Sequence, residues 1–428
     1  MSNKELYGEV GTNVRLINKM LDLIPEEEYK NPNNKWLDPG AGKGNFAKAL
    51  YDRLIFNFPS DYILKNMIYM IEINPKNIKI LREKFGEEAN IISGDFLSWN
   101  PKFEFDIIIG NPPYNSGGRI KVPTNKKLNK RRDGSTIWHK FVRHSISLLK
   151  KGGILVMIIP SLWLRKDKAG MNEYILRYQV ENVHCFTNTE TNRLFHGKAQ
   201  TPTCYFILRK QNTNGIISLY DKEKGGKIEF MARAPLPVNS ISVIKKLLPF
   251  VEEVGNLKVI KTNMPRKNVL LSRTSSMAFS YKNIRTCVVH NKTSPILKFE
   301  YSNEPLIYYG KRKLVLAHKM YGIPYYDESG EYGISNRDNY VILGKGGELR
   351  KWREFLSTKV ALYIFRSTRY RMMFLEREAF EYIPNIMKLK NFPLEEMTEE
   401  KIMEYFGFDE EECKNIQGER SFERIKVN

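Results

Sequence analysis

The tetrapeptide Asn111-Pro112-Pro113-Tyr114 has residue types that could activate an amino group carried by an aromatic ring. Such a nitrogen is a poor nucleophile because its lone pair is delocalised into the ring. The Asn111 side-chain oxygen and the Pro112 carbonyl could each accept one amino hydrogen, which favours a pyramidal nitrogen with an available lone pair. The prolines hold these acceptors still, and Tyr114 offers a face on which a base could stack. An isolated tetrapeptide of this kind would more often be only a turn.

A glycine-rich turn upstream has the features of a loop that binds an adenosyl group. Asp38 ends an apolar run, and Pro39, Gly40, Gly42 and Gly44 follow it before a helix-like stretch. The glycines allow close approach to a ligand, and the amides at a helix N-terminus favour polar or anionic groups. A Walker loop is excluded because the lysine is not followed by Ser or Thr. The G-x-G-x-G spacing also differs from the dinucleotide fingerprint.

Two acidic residues end the next two predicted strands. Glu72 could accept hydrogen bonds from both ribose hydroxyls, although a solvated strand-end acid is an equal alternative for Glu72 alone. Asp95 could accept a hydrogen bond from a ligand adenine amino group. Phe96 could pack on that adenine, or belong to the core. Together with the glycine-rich turn, these residues predict S-adenosylmethionine as the cofactor and methyl transfer as the reaction.

The elements that must position these residues alternate in the first half of the chain between short apolar runs and helix-like stretches. This alternation predicts an α/β fold with a parallel sheet and helical crossovers. After residues 211–215 the pattern changes to short aromatic and β-branched runs separated by Gly, Pro and Asn turns. We therefore predict a catalytic domain over 1–215, a mixed α+β domain over 216–390 and a short acidic helical tail over 391–428.

The charge balance predicts a polyanionic partner. The 428 residues include 69 Lys and Arg against 48 Asp and Glu, a formal net charge of +21. Nucleic acid is favoured, because cations that neutralise phosphates release counterions. A membrane is disfavoured, because the most apolar stretch, 154–164, is shorter than a span of about 20 residues. The cysteines form no Cys-x-x-Cys pair and no H-E-x-x-H pattern occurs, so we expect an intracellular, reducing setting and no bound metal.

Residues 7–210 resemble the gamma class of amino-group DNA methyltransferases, the TaqI-like branch. In that class the cofactor motif precedes Asn-Pro-Pro-Tyr and the target-recognition domain comes last. The resemblance implies a Rossmann-like class I methyltransferase sheet and methylation of N6 of a flipped-out adenine at specific sites in double-stranded DNA. We expect a cytoplasmic protein, and a separate cognate restriction endonuclease stays open as a partner. The matching segments are Asp38-Pro-Gly-Ala-Gly-Lys-Gly44, Ile71-Glu-Ile-Asn-Pro75, Gly94-Asp-Phe-Leu97, Asp106-Ile-Ile-Ile-Gly-Asn-Pro-Pro-Tyr114 and Lys151-Gly-Gly-Ile-Leu-Val-Met-Ile-Ile-Pro160.

The resemblance implies further site residues. Thr12 matches the N-terminal Thr-Pro element that closes over the cofactor in the family, although Asn13 replaces the proline and Gly11 an aromatic residue. Ile73 and Asn111 are implied to contact the cofactor. Phe195 matches the late Phe that stacks on the flipped base; a core aromatic is the alternative.

Basic clusters are the candidate DNA contacts. Lys130, Arg131 and Arg132 lie shortly after Tyr114, where we predict a mobile loop that contacts phosphates; a solvated surface loop is the alternative. In the second domain the candidates for phosphate or base contacts are Arg266, Lys267, Lys311 and Arg312.

Charge reversal at Lys130, Arg131 and Arg132 is expected to weaken DNA binding and to flatten its dependence on salt. Each lost phosphate contact lowers the slope of log K against log salt by about 0.9. Titrations of duplex DNA at several salt concentrations measure both quantities. If neither the affinity nor the slope changes, this loop does not contact DNA.

Other functions stay open at this point. The chain could methylate an amino group in structured RNA, since phosphate-binding charge suits both polymers. It could methylate a protein glutamine, because release-factor glutamine methyltransferases also carry Asn-Pro-Pro-Tyr, but that function does not account for the basic second domain. It could also be a silent DNA-binding module, against which the intact set of Asp38, Glu72, Asp95 and Asn111 argues.

Overall fold

The structure, a computed structural model, describes residues 10–115, 136–197, 199, 201–289, 295–318, 323–371 and 374–418. Lys130, Arg131 and Arg132 lie outside the described residues. The chain divides into two compact units, Met1–Ala234 and Pro235–Asn428, which are described separately. Within the described ranges, no helix has the length and apolar character needed to cross a bilayer.

The first unit is built on one mixed sheet. Its described strands are β1 (Trp36–Asp38), β2 (Ile68–Glu72), β3 (Asn90–Ser93), β4 (Phe105–Gly110), β5 (Leu149–Pro160), β6 (Tyr178–Cys185), β7 (Thr203–Asn212), β8 (Ile216–Asp221) and β9 (Gly226–Met231). They lie in the order β3-β2-β1-β4-β5-β7-β6-β8-β9. Strands β1 to β5 pair in parallel, and β7 runs antiparallel to both β5 and β6. This arrangement confirms the predicted Rossmann-like class I methyltransferase sheet.

Helices cover this sheet. They are α1 (Val14–Leu21), α2 (Asn45–Leu54), α3 (Ser60–Tyr62), α4 (Pro75–Phe85), α5 (Trp138–Leu148), α6 (Met171–Ile175) and α7 (Asn188–Leu194). Local signals start two of them: the Asn74 side chain accepts from the Lys76 amide with Pro75 at the first helical position, and Thr187 forms a capping box with Glu190. Apolar faces of α1, α2 and α4 join the strands in one hydrophobic core.

The hairpin of β8 and β9 belongs to this sheet, although it lies beyond the predicted boundary at residue 215. Strand β8 pairs in parallel with β6. The His184 ring of β6 is stacked between Tyr205 of β7 and Tyr220 of β8, with centroids 4.5 and 4.2 Å away. The turn at residues 211–215 therefore links two strands of one sheet, and the first unit ends at Ala234.

The second unit is mixed α+β. Its described strands are β10 (Ile260–Lys261), β11 (Leu271–Ser272), β12 (Tyr281–Val289), β13 (Pro295–Ser302), β14 (Lys313–Ala317), β15 (Tyr325–Asp327), β16 (Gly333–Ile334) and β17 (Asn339–Leu343). They form two four-stranded sheets, β10-β17-β14-β15 and β11-β13-β12-β16. Buried residues of both sheets, including Ile284 and Val315, share one apolar core. The described helices are α8 (Ile241–Val254), α9 (Gly346–Leu356), α10 (Lys359–Arg366), α11 (Glu399–Tyr405) and α12 (Glu410–Gln417).

The acidic helices α11 and α12 are anchored to the rest of the second unit. Both contact α10. The Glu399 carboxylate accepts from the Lys359 amide at 2.6 Å, and Lys246 of α8 pairs with Glu412 at 2.5 Å. The acidic residues of the tail are therefore used in part to cap and pair with α8 and α10.

A buried ion pair joins β14 to β15. The side chains of Lys313 and Asp327 are 0% and 1% exposed and contact each other directly. The Lys313 ammonium also donates to the carbonyls of Tyr308 at 3.1 Å and Lys311 at 3.0 Å. Asp327 accepts from the amides of Glu331 at 3.0 Å and Tyr332 at 3.1 Å. Burial lowers the pKa of Lys313, and the Asp327 charge opposes that shift. The pair fixes the loops on either side of it.

Candidate active site

The carboxyl ends of β1 and β4 are adjacent where the strand order reverses, a position at which open α/β sheets bind ligands. Asp38 is the last residue of β1, and Asn111 directly follows Gly110, the last residue of β4. A Cβ on Gly110 would lie 3.1 Å from Pro39 Cδ and 3.2 Å from Asp38 Oδ1. The absence of a side chain at Gly110 thus lets the glycine-rich turn and the Asn-Pro-Pro-Tyr motif lie side by side. Gly110 was not among the predicted site residues, although its place directly before the motif is a usable signal.

The three glycines of the turn have different roles. Gly44 has a φ of 77°, and a Cβ there would lie 2.6 Å from the Phe85 ring and 2.7 Å from Leu81. It therefore allows α2 to start close to α4. At Gly40 and Gly42 a Cβ would meet no described atom within 4 Å. These two positions border open space, as expected of a turn that approaches a ligand.

Asp38 is a buried carboxyl beside this open space. Its Oδ1 accepts from the Gly40 amide at 3.4 Å, whereas its buried Oδ2 accepts no hydrogen bond from the described residues. Burial raises the pKa of Asp38 to about 7, and the nearby Glu72 charge adds to the shift. Such a group is stabilised in its ionised form by a cation. The ammonium of the methionine part of S-adenosylmethionine has the required charge, so Asp38 fits this cofactor.

Cofactor affinity is expected to depend on pH through Asp38. Because the pKa of Asp38 is raised to about 7, the carboxyl is mostly neutral below pH 7, and binding a cation must release a proton. Affinity should therefore rise by up to about tenfold per pH unit as the pH increases towards 7, and then level off. Calorimetric titration between pH 5.5 and 8 measures this effect. Asp38→Asn is the control and should give weaker binding with a flat profile; a flat profile for the unchanged protein would contradict the assignment.

Glu72 and Asp95 lie where the next two strands end. The Glu72 oxygens accept from the amides of Gly42 at 2.6 Å and Asn74 at 2.7 Å. These contacts fix the Glu72 carboxylate at the end of its strand, where the sequence predicts a hydrogen bond to the ribose. Asp95 is exposed, and its Oδ1 accepts from the Leu97 amide at 3.0 Å. Ile73, next to Glu72, is 50% exposed, which leaves apolar surface for an adenine ring. Their roles towards the cofactor stay predictions.

The N-terminal segment orients the amide of Asn111. Asn111 Nδ2 donates to Thr12 Oγ1 at 3.0 Å and lies 3.4 Å from the Val10 carbonyl oxygen. The Thr12 carbonyl in turn accepts from Asn45 Nδ2, at the start of α2, at 3.4 Å. With the nitrogen engaged in this way, Oδ1 is the atom that Asn111 can offer to an amino hydrogen. Thr12 thus contacts Asn111, and its predicted role towards the cofactor stays a prediction; Val10 and Asn45 were not among the predicted site residues.

Tyr114 is fixed at both its backbone and its hydroxyl. Its carbonyl accepts from the Ile137 amide at 3.0 Å, and its hydroxyl donates to the Ile158 carbonyl at 3.5 Å. Burial raises the pKa of this hydroxyl well above its usual value. Tyr114 is therefore a neutral, positioned ring at neutral pH, as a stacking surface requires.

Two predicted ligand contacts lie in the core instead. Phe96 is 2% exposed and packs against Phe141 and His144 of α5, with centroids 5.2 and 4.7 Å away. Phe195 is 1% exposed within the hydrophobic core of the first unit. Both aromatic residues therefore lie in the core, which was the alternative to ligand contact stated for each of them. Contact of Phe195 with a flipped base would require its segment to open.

The basic candidates of the second unit lie at its surface. Arg266, Lys267 and Lys311 are exposed, and Arg312 donates to the Glu328 carbonyl at 3.0 Å. The described part of the chain contains no group of three or more His, Cys, Asp or Glu that could hold a metal ion.

Comparison with known proteins finds similarity in the segment around Asn111. Residues 61–193 match the family of Eco57I restriction-modification methylases. Type II methyltransferase M.BstVI of Geobacillus stearothermophilus is 30% identical over 216 residues, covering 41% of this chain and 38% of that protein. Type II methyltransferase M.HincII of Haemophilus influenzae is 24% identical over 228 residues, covering 50% of this chain and 40% of that protein. A tRNA1(Val) (adenine(37)-N6)-methyltransferase of Bacteroides thetaiotaomicron is 26% identical over 151 residues, with coverage of 35% and 62%.

The chain spans less than two thirds of the length of each of these relatives. The fold and the family match imply S-adenosylmethionine as the cofactor, in agreement with the prediction. The predicted resemblance is confirmed: the segment that carries Asn111-Pro112-Pro113-Tyr114 is similar to the gamma-class amino-group methyltransferases of restriction-modification systems.

Proposed function

We propose that the chain is a site-specific DNA methyltransferase that methylates N6 of an adenine flipped out of double-stranded DNA. The observation that carries the proposal is the Asn111 amide, held by Thr12 with its oxygen available beside the buried carboxyl of Asp38. The match to restriction-modification methylases supports DNA as the substrate. Adenine is supported by the similarity to a tRNA (adenine(37)-N6)-methyltransferase, since the amino-group chemistry of the site suits the N6 of that base.

The chain's own residues would act by positioning and by hydrogen bonding. Asn111 Oδ1 and the Pro112 carbonyl would each accept a hydrogen bond from one of the two amino hydrogens. These hydrogen bonds would make the lone pair of the nitrogen available. Tyr114 would hold the base by stacking, worth about 1–3 kcal/mol per base. S-adenosylmethionine would supply an electrophilic methyl group, with Asp38, Glu72 and the open positions Gly40 and Gly42 as its binding residues. Such a site gains its rate from preorganised acceptors and orientation.

The partners follow from the charge and from the chemistry. A formal net charge of +21 suits duplex DNA. An adenine inside a duplex must be extruded, at a cost of a few kcal/mol, before an active-site pocket can reach it. We propose that the protein acts inside the cell on DNA, and that a separate restriction endonuclease recognises the same site.

Expression in a host that lacks adenine methylation, followed by sequencing of modified bases in its DNA, tests the proposal. A recurring motif that contains N6-methyladenine is the expected result, and it would also identify the recognition sequence. The Asn111→Ala variant, expressed to the same level, should leave the host DNA unmodified. If the unchanged protein folds and binds S-adenosylmethionine but modifies no DNA, the proposal is wrong and structured RNA becomes the substrate to test.

A further inference from the structure

One stretch of the second unit has a strongly one-sided charge. Between Val254 and Phe299 the sequence contains Lys and Arg repeatedly but no Asp or Glu. Within it, residues 263–280 are mostly exposed; we call this part the basic segment. A long exposed stretch without acidic residues is suited to a polyanion, because nothing in it repels phosphates.

The basic segment is held at its middle and forms a turn on each side. Strand β11 pairs with Tyr301 and Ser302 of β13, and the Leu270 amide donates to Asn303 Oδ1 at 3.0 Å. Before this anchor, a turn closes where the Val269 amide donates to the Arg266 carbonyl at 3.1 Å. After it, a second turn closes where the Phe279 amide donates to the Ser276 carbonyl at 3.0 Å, with a return bond of 3.3 Å. The anchor thus presents two short turns on a supported strand.

The cations of the basic segment are available to a ligand. Arg266, Lys267 and Arg273 are exposed, and none of them forms an ion pair with a described residue. Other exposed cations of the unit do find partners, as Arg350 does with Glu328 and Lys401 with Glu396. Unpaired cations keep their full charge for phosphate oxygens.

The tip of the second turn carries an apolar side chain. Met277 is 102% exposed, and residues 276–279 close around it and Ala278. A fully exposed methionine gains free energy when another surface covers it. Its long, flexible and polarisable side chain is one of those that DNA-bending proteins insert between base pairs.

We propose, on the basis of the function proposed above, that Met277 is an apolar wedge that enters the base stack of duplex DNA. Arg266, Lys267 and Arg273 contact the phosphates beside the insertion. The wedge unstacks neighbouring base pairs, which lowers the cost of extruding the target adenine. The phosphate contacts and the wedge then contribute separately to DNA binding, although both belong to the basic segment.

DNA binding and extrusion of the target base can be measured on a duplex that contains the recognition sequence of the protein. In this duplex 2-aminopurine replaces the target adenine. We expect Met277→Ala to bind this intact duplex about tenfold more weakly and to give a smaller fluorescence increase. It should bind almost normally to a duplex in which the target base is already unstacked by a mismatch, because little unstacking is left to perform. Met277→Leu, which keeps the apolar volume, should behave like the unchanged protein.

Two matched variants separate the wedge from its surroundings. Met264→Ala removes another exposed methionine of the basic segment, 55% exposed, and should change neither quantity. Arg266→Ala should lower the salt slope of binding by about one, whereas Met277→Ala should leave that slope unchanged, since a wedge neutralises no phosphate.

The outcomes distinguish the wedge from the proposed function. If the unchanged protein methylates DNA but Met277→Ala equals Met264→Ala, or loses the same factor on intact and mismatched duplexes, the wedge is overturned and the methyltransferase stands. If Met277→Ala changes only the oligomeric state in sedimentation, Met277 belongs to a self-association surface and the wedge is again overturned. If the unchanged protein methylates no DNA, both proposals fail together.

Discussion

Asn111→Ala should lower the rate of methyl transfer by at least about 100-fold, the loss expected when one preorganised hydrogen-bonding group is removed from a reaction centre. The substitution removes the side-chain oxygen that we propose accepts a hydrogen bond from the amino group, and it leaves the Pro112 carbonyl as the remaining proposed acceptor. The affinity for S-adenosylmethionine should stay nearly unchanged, because Asp38 and Glu72 are untouched. Single-turnover methylation and calorimetric titration of the cofactor measure the two effects.

Thr12→Val is the matched control for Asn111. It keeps the shape of the side chain but removes the oxygen that accepts from Asn111 Nδ2 at 3.0 Å. The Asn111 oxygen remains in this variant, but its amide is no longer held in one orientation. The rate of methyl transfer should therefore fall by about tenfold, in line with the loss of one hydrogen bond. Equal effects of the two variants would mean that Asn111 acts only by holding the N-terminal segment. Strong loss of cofactor binding in Asn111→Ala would place Asn111 in the cofactor site instead.

Lys313→Met should destabilise the second unit by about 3–5 kcal/mol, because it leaves the Asp327 carboxylate buried without its counter-ion. Asp327 keeps hydrogen bonds from two backbone amides in this variant. We therefore expect the loss of stability to lie near the lower end of this range. Since the chain has two units, unfolding is best followed locally, by hydrogen exchange of the β14 and β15 amides.

The control for this pair is Lys401→Met. Lys401 pairs with Glu396, but the two side chains are 44% and 69% exposed. Water screens that pair, so its loss should cost about 0–1 kcal/mol. If Lys313→Met costs no more than Lys401→Met, the buried pair is not a structural requirement of the unit.

Much of the first unit could be predicted because its signals are local. Each of the first four strands is an apolar run, and an acid, a glycine turn or Asn111 follows directly where that run ends. Parallel strands then bring these ends to one edge of the sheet, so adjacency of Asp38 and Asn111 follows from the fold.

The remaining features depend on contacts that no local pattern reports. Val10 and Asn111 are far apart in the chain, and neither has a neighbour that predicts their contact. Phe96 and Phe195 could serve a ligand or the core equally well by residue type, and only packing decides. In the second unit β10, β11 and β16 have two residues each, too few to show a period. Their pairing partners are distant in sequence.

The β8–β9 hairpin determines where the chain can be cut. A truncation at residue 215 would remove the strand that covers the outer edge of β6 and one of the two rings that enclose His184. The open edge of β6 would then be free to pair with other chains and aggregate. A truncation after Ala234 keeps that edge covered, so the same position is the natural boundary at which to separate the two units.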